Sequence, residues 1–280
     1  MSQAIAVSHG EFGRAALYRL NKTIITHAHR EGHLIYYLEG SKADIRVRDE
    51  IFEASATHAI AVSPWEPHNF ELEEGGTAIC LVLYIKPMWF LENSPSAEYS
   101  LKFGCTSVRM SNEMNHYVKR LTALLLEVED QSQFDEFLFV LTKASFDETW
   151  KNNNAENRKQ TYDRLSDFRV RKSLRIIQEK MTEDIEMEHL ARSVGLSRPH
   201  FFKLFKQYLG VTPNVYMNTL RSERAIEELL NTNKTVTNIA FDLGFSSQAS
   251  FTRFFSSNVG IAPSEYRRVA HVTEGAFPMM

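Results

Sequence analysis

Two stretches towards the C-terminal end repeat one plan, and this duplication constrains the fold more than any other feature. The segment LARSVGLS at 190–197 matches IAFDLGFS at 239–246 with an offset of 49 residues, and past the serines the offset becomes 50. The second copy therefore carries one extra residue near the start of its latter helix. The paired positions are Ala191 and Ala240, Gly195 and Gly244, Ser197 and Ser246, Phe201 and Phe251, Phe205 and Phe255, Gly210 and Gly260, Pro213 and Pro263, and Tyr216 and Tyr266.

Each copy has the residues of a helix, a tight turn and a second helix. The repeated alanine lets the first helix approach the second closely, and the repeated glycine ends the first helix because only glycine enters the left-handed region cheaply. We expect Ser197 and Ser246 to cap the second helices by accepting a hydrogen bond from an unpaired backbone N–H. The pattern predicts two helix-turn-helix units.

The outward face of each second helix is basic and lacks carboxylates. With 100° per residue, the residues predicted to face inward are Phe201, Leu204, Phe205, Tyr208, Phe251, Phe254 and Phe255. This leaves Pro199, Lys203, Lys206, Ala249, Arg253 and Ser256 facing outward. Such a face suits the major groove of DNA, where Lys or Arg reads guanine and small residues allow close approach. The alternative is a three-helix bundle with a solvated basic face.

One segment, TPNVYMNTLRSERAIEELLN, joins the two copies. Thr212 is expected to cap it and Pro213 to take its first helical position. A helix of about 18 residues is about 27 Å long. Two reading helices at about that separation would enter successive major grooves, since one turn of the duplex is about 34 Å. The repeat therefore predicts that one chain reads two half-sites.

Residues 165–268 resemble the DNA-binding domain of the AraC/XylS family of bacterial transcription regulators. The matching positions are Ile239, Ala240, Gly244, Phe245, Ser246, Phe251, Arg253, Phe255, Gly260, Pro263, Tyr266 and Arg267. The resemblance implies a transcription regulator that binds double-stranded DNA and contacts RNA polymerase. It also implies that the regulator can act as an activator. The DNA-binding residues that it implies are Ser197, Arg198, Pro199, Phe202, Lys203, Lys206, Ser246, Ser247, Gln248, Ala249, Ser250 and Arg253.

Charge separates the two halves of the chain. Residues 161–280 hold 16 Lys and Arg against 13 Asp and Glu, whereas residues 1–160 hold 16 against 22. The acidic half is therefore not expected to touch DNA. The sequence shows neither a secretory signal nor an apolar run of the roughly 18 residues that a membrane span needs, so we expect a cytoplasmic protein with no membrane partner.

The N-terminal half has the pattern of short strands. Period-two or apolar runs occur at 33–40, 43–50, 58–68 and 75–85, with Ile45 and Val47 predicted to face inward. They suggest a sandwich or small barrel. Two amphipathic stripes follow and predict a helical hairpin, which either covers one face of the sheet or forms a dimer seam. The fold class predicted is α+β, with a cupin-like β-barrel and hairpin followed by an all-α domain.

Histidines in the N-terminal half resemble the two cupin motifs, in which two His, one Glu and a later His bind a divalent metal. His33 stands where the Glu would be. Four imidazoles at His27, His29, His33 and His68 could hold Zn, Ni or Fe, but we favour the interpretation in which they are structural and no cofactor is bound. In the resembled family this barrel binds a small effector, so the candidate pocket residues are His27, His29, His33, Tyr36, Trp65 and His68.

These patterns predict three segments: residues 1–150 as an effector-sensing and dimerising domain, 151–164 as a polar linker, and 165–280 as the DNA-binding domain. The function predicted is sequence-specific transcription regulation by a homodimer, without enzymatic activity. The rival, supported by the histidines alone, is a cupin metalloenzyme such as a dioxygenase with a helical packing domain.

Overall fold

A computed structural model describes residues 2–87, 89–90, 102–127, 131–151, 167–183 and 185–272. The predicted linker, apart from Lys151, lies outside the described residues. The strands are β1 Gln3–Gly10, β2 Gly13–Leu20, β3 Ile24–His27, β4 Gly32–Gly40, β5 Ala43–Val47, β6 Glu50–Ala54, β7 His58–Val62, β8 His68–Leu72, β9 Ala78–Ile85, β10 Ser107–Arg109 and β11 Ala270–Val272. The helices are α1 Asn112–Glu127, α2 Gln131–Trp150, α3 Phe168–Glu179, α4 Met187–Ser193, α5 Arg198–Leu209, α6 Pro213–Asn231, α7 Val236–Asp242, α8 Gln248–Val259 and α9 Pro263–Val269.

The strands form two sheets. A seven-stranded sheet has the order β10-β7-β4-β9-β2-β1-β11, and a four-stranded sheet has the order β3-β8-β5-β6. Every ladder is antiparallel except that between β1 and β11. Within the described residues no ladder of hydrogen bonds joins an edge strand of one sheet to the other sheet. The predicted β-barrel is therefore not closed by hydrogen bonds. The chain is therefore mixed, with antiparallel sheets first and helices after them.

Strand periodicity explains the elements that the sequence predicts. In β5 the side chains of Ile45 and Val47 are buried between the sheets while Arg46 is half-buried, as expected for an alternating strand. The β1–β2 hairpin was not predicted. It closes at Gly13, whose φ is +125° and where a Cβ would meet the carbonyl oxygen of Tyr84 at 2.2 Å, so this turn requires glycine.

The helical hairpin covers the outer face of the seven-stranded sheet. Val118 and Leu121 of α1 and Leu138 and Leu141 of α2 are buried in one apolar cluster with side chains from β2, β4 and β9. The apolar stripes are thus used within the chain, in agreement with the first of the two interpretations. None of the helices in the described part of the chain is long and apolar enough to span a bilayer.

The helix α6 links two similar groups of helices. Tyr216 and Leu220 in its first half pack with α4 and α5, and Ala225 and Leu229 in its second half pack with α7 and α8. Its N-cap is Thr212, whose side chain accepts from the backbone N–H of Val215, as predicted. Its 19 residues correspond to about 28 Å.

The second helix group docks against the sheets. Phe251, Phe255 and Tyr266 belong to the apolar cluster that fills the space between the two sheets. After α9 the chain adds β11 to the edge of the seven-stranded sheet, with Val7 opposite Ala270. The sequence did not predict this strand, which joins C-terminal residues to the N-terminal sheet through backbone hydrogen bonds.

Candidate functional site

The predicted reading residues lie on or just before α5 and α8. On α5 the side chains of Arg198, Pro199, Lys203 and Lys206 are exposed, and Phe202 is half-buried beneath the Arg198 guanidinium, 5.4 Å from its ring centre. On and before α8 the side chains of Ser246, Gln248, Ala249 and Arg253 are exposed, and those of Ser247 and Ser250 are half-buried. The opposite faces are held by buried rings, Phe201 with Phe205 and Phe251 with Phe255.

The two turns differ at the cap. Ser247, not Ser246, is the N-cap of α8, and its side chain accepts a hydrogen bond from the backbone N–H of Ser250 at 3.2 Å. The expectation for Ser246 was wrong because the extra residue of the second copy lies in the turn, before the cap. Ser197 is the N-cap residue of α5, as predicted, but its side chain makes no capping hydrogen bond. The glycines at 195 and 244 have φ of +74° and +79°, as expected.

The cations of α5 and α8 have no acidic partners. Within the described residues, Arg198, Lys203, Lys206 and Arg253 form no ion pair, and neither helix contains Asp or Glu. Most exposed cations elsewhere in the C-terminal helical region are neutralised: Arg175 pairs with Glu179, Arg192 with Glu188, Arg224 with Glu228, Lys234 with Asp242 and Arg268 with Glu265. The two repeated helices therefore carry uncompensated positive charge towards solvent, as a polyanion-binding surface requires.

Four histidines meet between the sheets. His27, His29, His33 and His68 have ring centres 4.3 to 5.3 Å apart in five contacts. Burial lowers the pKa of His27 to about 4. Burial, followed by the neighbouring histidines, holds the pKa of the other three well below the usual value. All four imidazoles are therefore neutral near pH 7.

Backbone carbonyls set the tautomers of two of these rings. His27 Nδ1 lies 2.7 Å from the Ile25 carbonyl oxygen, and His68 Nδ1 lies 2.9 Å from that of Glu66. Since a carbonyl can only accept, both Nδ1 atoms carry the proton and both Nε2 atoms present lone pairs. His33 Nδ1 donates to His68 Nε2 at 3.0 Å.

This donor set fits a divalent transition metal only if the His33 ring turns away, because His33 Nδ1 donates to the His68 Nε2 lone pair that would bind the ion. Ligand nitrogens of His27, His29 and His68 all lie within 4.8 Å of one another. Neutral imidazoles whose other N–H is held by a carbonyl are the usual ligands of zinc and related ions. A metal bound there would supply Lewis-acid chemistry. The nearby Arg14 guanidinium, which also lowers the pKa of His27, opposes a cation at this place.

A cavity of about 410 Å³ lies between the sheets and α6. From the N-terminal side it is lined by His9, Arg14, His27, His29, Glu31 and Lys86, and from the C-terminal side by Thr219, Ser222, Glu223, Ile226, Leu230 and Val259. Of the six residues predicted for the pocket, His27 and His29 line this cavity. His33 and His68 line, with His27, a smaller one of about 30 Å³ beside it.

Tyr36 and Trp65 lie away from both cavities. The side chain of Tyr36 points to the other face of the sheet, where its hydroxyl lies 2.7 Å from Ser145 Oγ on α2. Neighbouring strand residues face opposite sides, so Tyr36 faces the helical hairpin while Ile35 faces the space between the sheets. The Trp65 ring stacks on Tyr216 of α6 with ring centres 4.8 Å apart, and so contributes to the contact between the halves.

Known proteins match part or most of this chain. The regulatory protein PocR of Salmonella typhimurium is 33% identical over 112 residues, which is 40% of this chain and 36% of that protein. An uncharacterised HTH-type transcriptional regulator of Staphylococcus aureus is 25% identical over 244 residues, which is 84% of this chain and 31% of that protein. The chain therefore spans about a third of the length of these curated relatives.

A family model described as a helix-turn-helix domain matches residues 190–269. This range includes both repeated helix pairs, α4–α5 and α7–α8, with α6 between them. Residues 190–269 are an AraC-type helix-turn-helix domain.

Solved structures share the arrangement of the whole chain. ToxT of Vibrio cholerae has a TM-score of 0.54 at 16% identity, covering 91% of this chain and 96% of its own. A structure of ToxT with a bound unsaturated fatty acid also has a TM-score of 0.54, at 17% identity, covering 91% of this chain and 94% of its own. This chain and ToxT therefore share the overall fold.

Two motif residues of the AraC-type domain make contacts inside the chain. Arg267 donates from Nε to the Leu229 carbonyl at 3.0 Å and from Nη1 to the Lys234 carbonyl at 2.6 Å, which satisfies backbone acceptors at the end of α6. Tyr266 is buried. Its hydroxyl accepts from Arg14 Nη1 at 3.0 Å and lies 2.8 Å from His9 Nε2.

No sequence pattern indicates several residues of the cavity. Arg14 and His9 come from the unpredicted β1–β2 hairpin, and they meet Tyr266 across more than 250 positions of the chain. Glu223 lies on α6 among other charged residues in the pattern RSER and is distinguished only by its burial. A short-range pattern contains no information about such contacts.

Proposed function

We propose that this protein is a DNA-binding transcription regulator whose AraC-type domain reads DNA through two helix-turn-helix units, α4–α5 and α7–α8. The observation that carries the proposal is the uncompensated positive charge of Arg198, Lys203, Lys206 and Arg253 on two repeated, carboxylate-free helices. The domain assignment and the regulators among its relatives support it.

In this proposal α5 and α8 enter successive major grooves. The twelve predicted residues divide by chemistry. Lys203, Gln248 and Arg253 are base-reading candidates, and Phe202 suits apolar contact with a thymine methyl group. The four serines, Lys206 and Arg198 suit contacts to phosphate. Pro199 and Ala249 carry no hydrogen-bonding side-chain group, so they would act by close packing against bases. The α6 length of about 28 Å approximates one turn of the duplex.

We further propose control by a small molecule bound in the 410 Å³ cavity between the sheets and α6, because that space borders both halves. ToxT, which shares the fold, has been solved with a fatty acid bound. A homodimer, contact with RNA polymerase leading to activation, and action in the cytoplasm are parts of the same proposal, and they rest on the family resemblance.

The DNA-binding part is tested with fragments selected from genomic DNA by the purified protein. We expect affinity to fall steeply between roughly 50 and 200 mM salt, since bound Lys and Arg release counterions. Arg253→Ala should relax base preference at one position and cost about 1–3 kcal/mol on the preferred fragment. Arg175→Ala, which removes an ion-paired arginine from α3, is the control and should leave the preference unchanged.

An affinity that does not change with salt would overturn the proposal. So would an Arg253→Ala variant that selects the same fragments as the unaltered protein with the same preference.

The second candidate function, a cupin metalloenzyme, is favoured by one observation, the three imidazole nitrogens within 4.8 Å of one another. In that case His27, His29 and His68 would hold the metal. Metal analysis of protein purified without chelator tests it, with His68→Ala as the variant. A stoichiometric metal lost in His68→Ala would support this candidate, and a metal-free protein that still binds DNA would count against it.

A further inference from the structure

Polar atoms without partners are concentrated on the walls of the 410 Å³ cavity. Four buried side-chain atoms of cavity-lining residues have no hydrogen-bond partner in the described part of the chain: Arg14 Nε, His29 Nε2, Ser222 Oγ and Glu223 Oε1. Buried polar groups in folded proteins are otherwise nearly always paired. Four such atoms around one cavity indicate a polar ligand whose groups form hydrogen bonds with them.

The N-terminal wall offers a positive charge without an ion pair among the described residues, although the Glu31 carboxylate on the same wall attracts it at longer range. Arg14 is 7% exposed, and arginine stays protonated in proteins. Its guanidinium lies 3.6 Å from the Tyr84 ring centre and donates to the Tyr266 hydroxyl, both neutral groups. It forms no ion pair within the described part of the chain. A buried charge of this kind is costly unless an anion reaches it, and a carboxylate matches its fork of donors.

The opposite wall, on α6, offers acceptors. Glu223 pairs through Oε2 with Arg30 at 2.8 Å, and its second oxygen, Oε1, has no partner. Burial, followed by repulsion from Glu31, raises the pKa of Glu223 to about 8. A cationic group beside Glu223 would relieve this penalty, and Ser222 Oγ lies next to it in the chain as a further acceptor.

Part of the remaining lining is apolar, beside the charged residues Arg30, Glu31, Lys86 and Glu227. Ile226, Leu230 and Val259 contribute side chains from α6 and α8, and Pro87 contributes from the other side. A volume of about 410 Å³ lies in the range of small-molecule sites.

We propose that this cavity binds a zwitterionic, amino-acid-like molecule, with its carboxylate on Arg14, its ammonium group on Glu223 and its apolar body against Ile226, Leu230 and Val259. The inference rests on the proposed function, since it names the chemical class of the effector. The two charged groups come from opposite walls, so a bound zwitterion joins the N-terminal sheet to α6 of the AraC-type domain.

The test compares matched probes by calorimetry and thermal shift without DNA. The panel holds the twenty protein amino acids, and for each binder the amine lacking the carboxylate and the acid lacking the amino group. We expect at least one amino acid with an apolar side chain to bind at least tenfold more tightly than its matched amine and its matched acid. Binding at pH 7 should also release protons, because the ammonium group favours the ionised form of Glu223.

One variant tests the contact proposed for the ammonium group. Glu223→Gln keeps the shape but removes the charge, and it should weaken the amino acid at least tenfold while leaving its deaminated acid unchanged. Glu188→Gln, on the distant helix α4, is the control and should alter neither. Unfolding of each unliganded variant shows that it has folded.

Three results would overturn the inference. They are a panel in which no amino acid binds, acids that bind as tightly as their amino acids, and a Glu223→Gln variant that binds the amino acid unchanged. Because no DNA is present, any of them leaves the proposed DNA-binding function standing. Loss of DNA binding with intact amino-acid binding would leave the cavity assignment standing.

Discussion

Replacing Tyr266 with phenylalanine isolates the contact that ties the AraC-type domain to the sheets. The hydroxyl accepts from the charged Arg14 at 3.0 Å and lies 2.8 Å from His9, and all three residues are buried. A hydrogen bond to a charged group contributes about 1.5–3 kcal/mol and a neutral one about 1. We therefore expect Tyr266→Phe to lose about 3 kcal/mol of unfolding free energy.

Urea unfolding followed by circular dichroism measures this loss. With a slope of about 3 kcal/mol per molar, the midpoint should fall by about 1 M. The control is Tyr216→Phe at the equivalent position of the first repeat, where the hydroxyl accepts from Gln178 at 3.0 Å and from no charged group in the described part of the chain. It should lose about 1 kcal/mol. Equal losses for the two variants, or a Tyr266→Phe loss below about 1 kcal/mol, would show that the hydrogen bond from Arg14 does not contribute this energy.

Two further predictions concern backbone strain and pH. Gly195→Ala should cost about 1–2 kcal/mol for its left-handed φ alone, since no atom lies within 4 Å of a Cβ there. Gly244→Ala should cost clearly more, because its Cβ would lie 1.9 Å from the Thr182 carbonyl oxygen; equal urea midpoints would contradict this. The pKa of His27 is about 4 in the folded protein and about 6.5 in the unfolded chain. As the pH falls the unfolded chain binds the proton first, so the free energy of unfolding should drop by about 3 kcal/mol between pH 6.5 and pH 4. Urea midpoints measured in chelator check this, and midpoints independent of pH between 6.5 and 4.5 would contradict it.

Local patterns predicted the elements whose residues repeat at a regular spacing. The alternation around Ile45 and Val47 and the stripe through Leu121 correspond to buried faces. The repeat predicted both helix pairs, since its glycines at 195 and 244 adopt the left-handed conformation. Such signals lie within a few residues of one another, so a sequence shows them directly.

Features that depend on distant residues were missed. The short strand at 270–272 exists because β1 offers a free edge, and nothing in the residues themselves indicates that pairing. Tyr36 was placed in the pocket because strand residues were not assigned to faces, and its hydroxyl instead meets Ser145. The cap at Ser247 differs from the expected Ser246 because an alignment of two copies does not locate the inserted residue within a turn.

The most direct test of the account is selection of DNA sites from a random library by the unaltered protein, Lys203→Ala and Arg253→Ala. If α5 and α8 each read bases, the two variants should lose preference in two different blocks of the selected site, with centres about one helical turn, 10–10.5 base pairs, apart. A loss confined to one shared block, or variants that select the same sequences as the unaltered protein, would contradict reading by two helices.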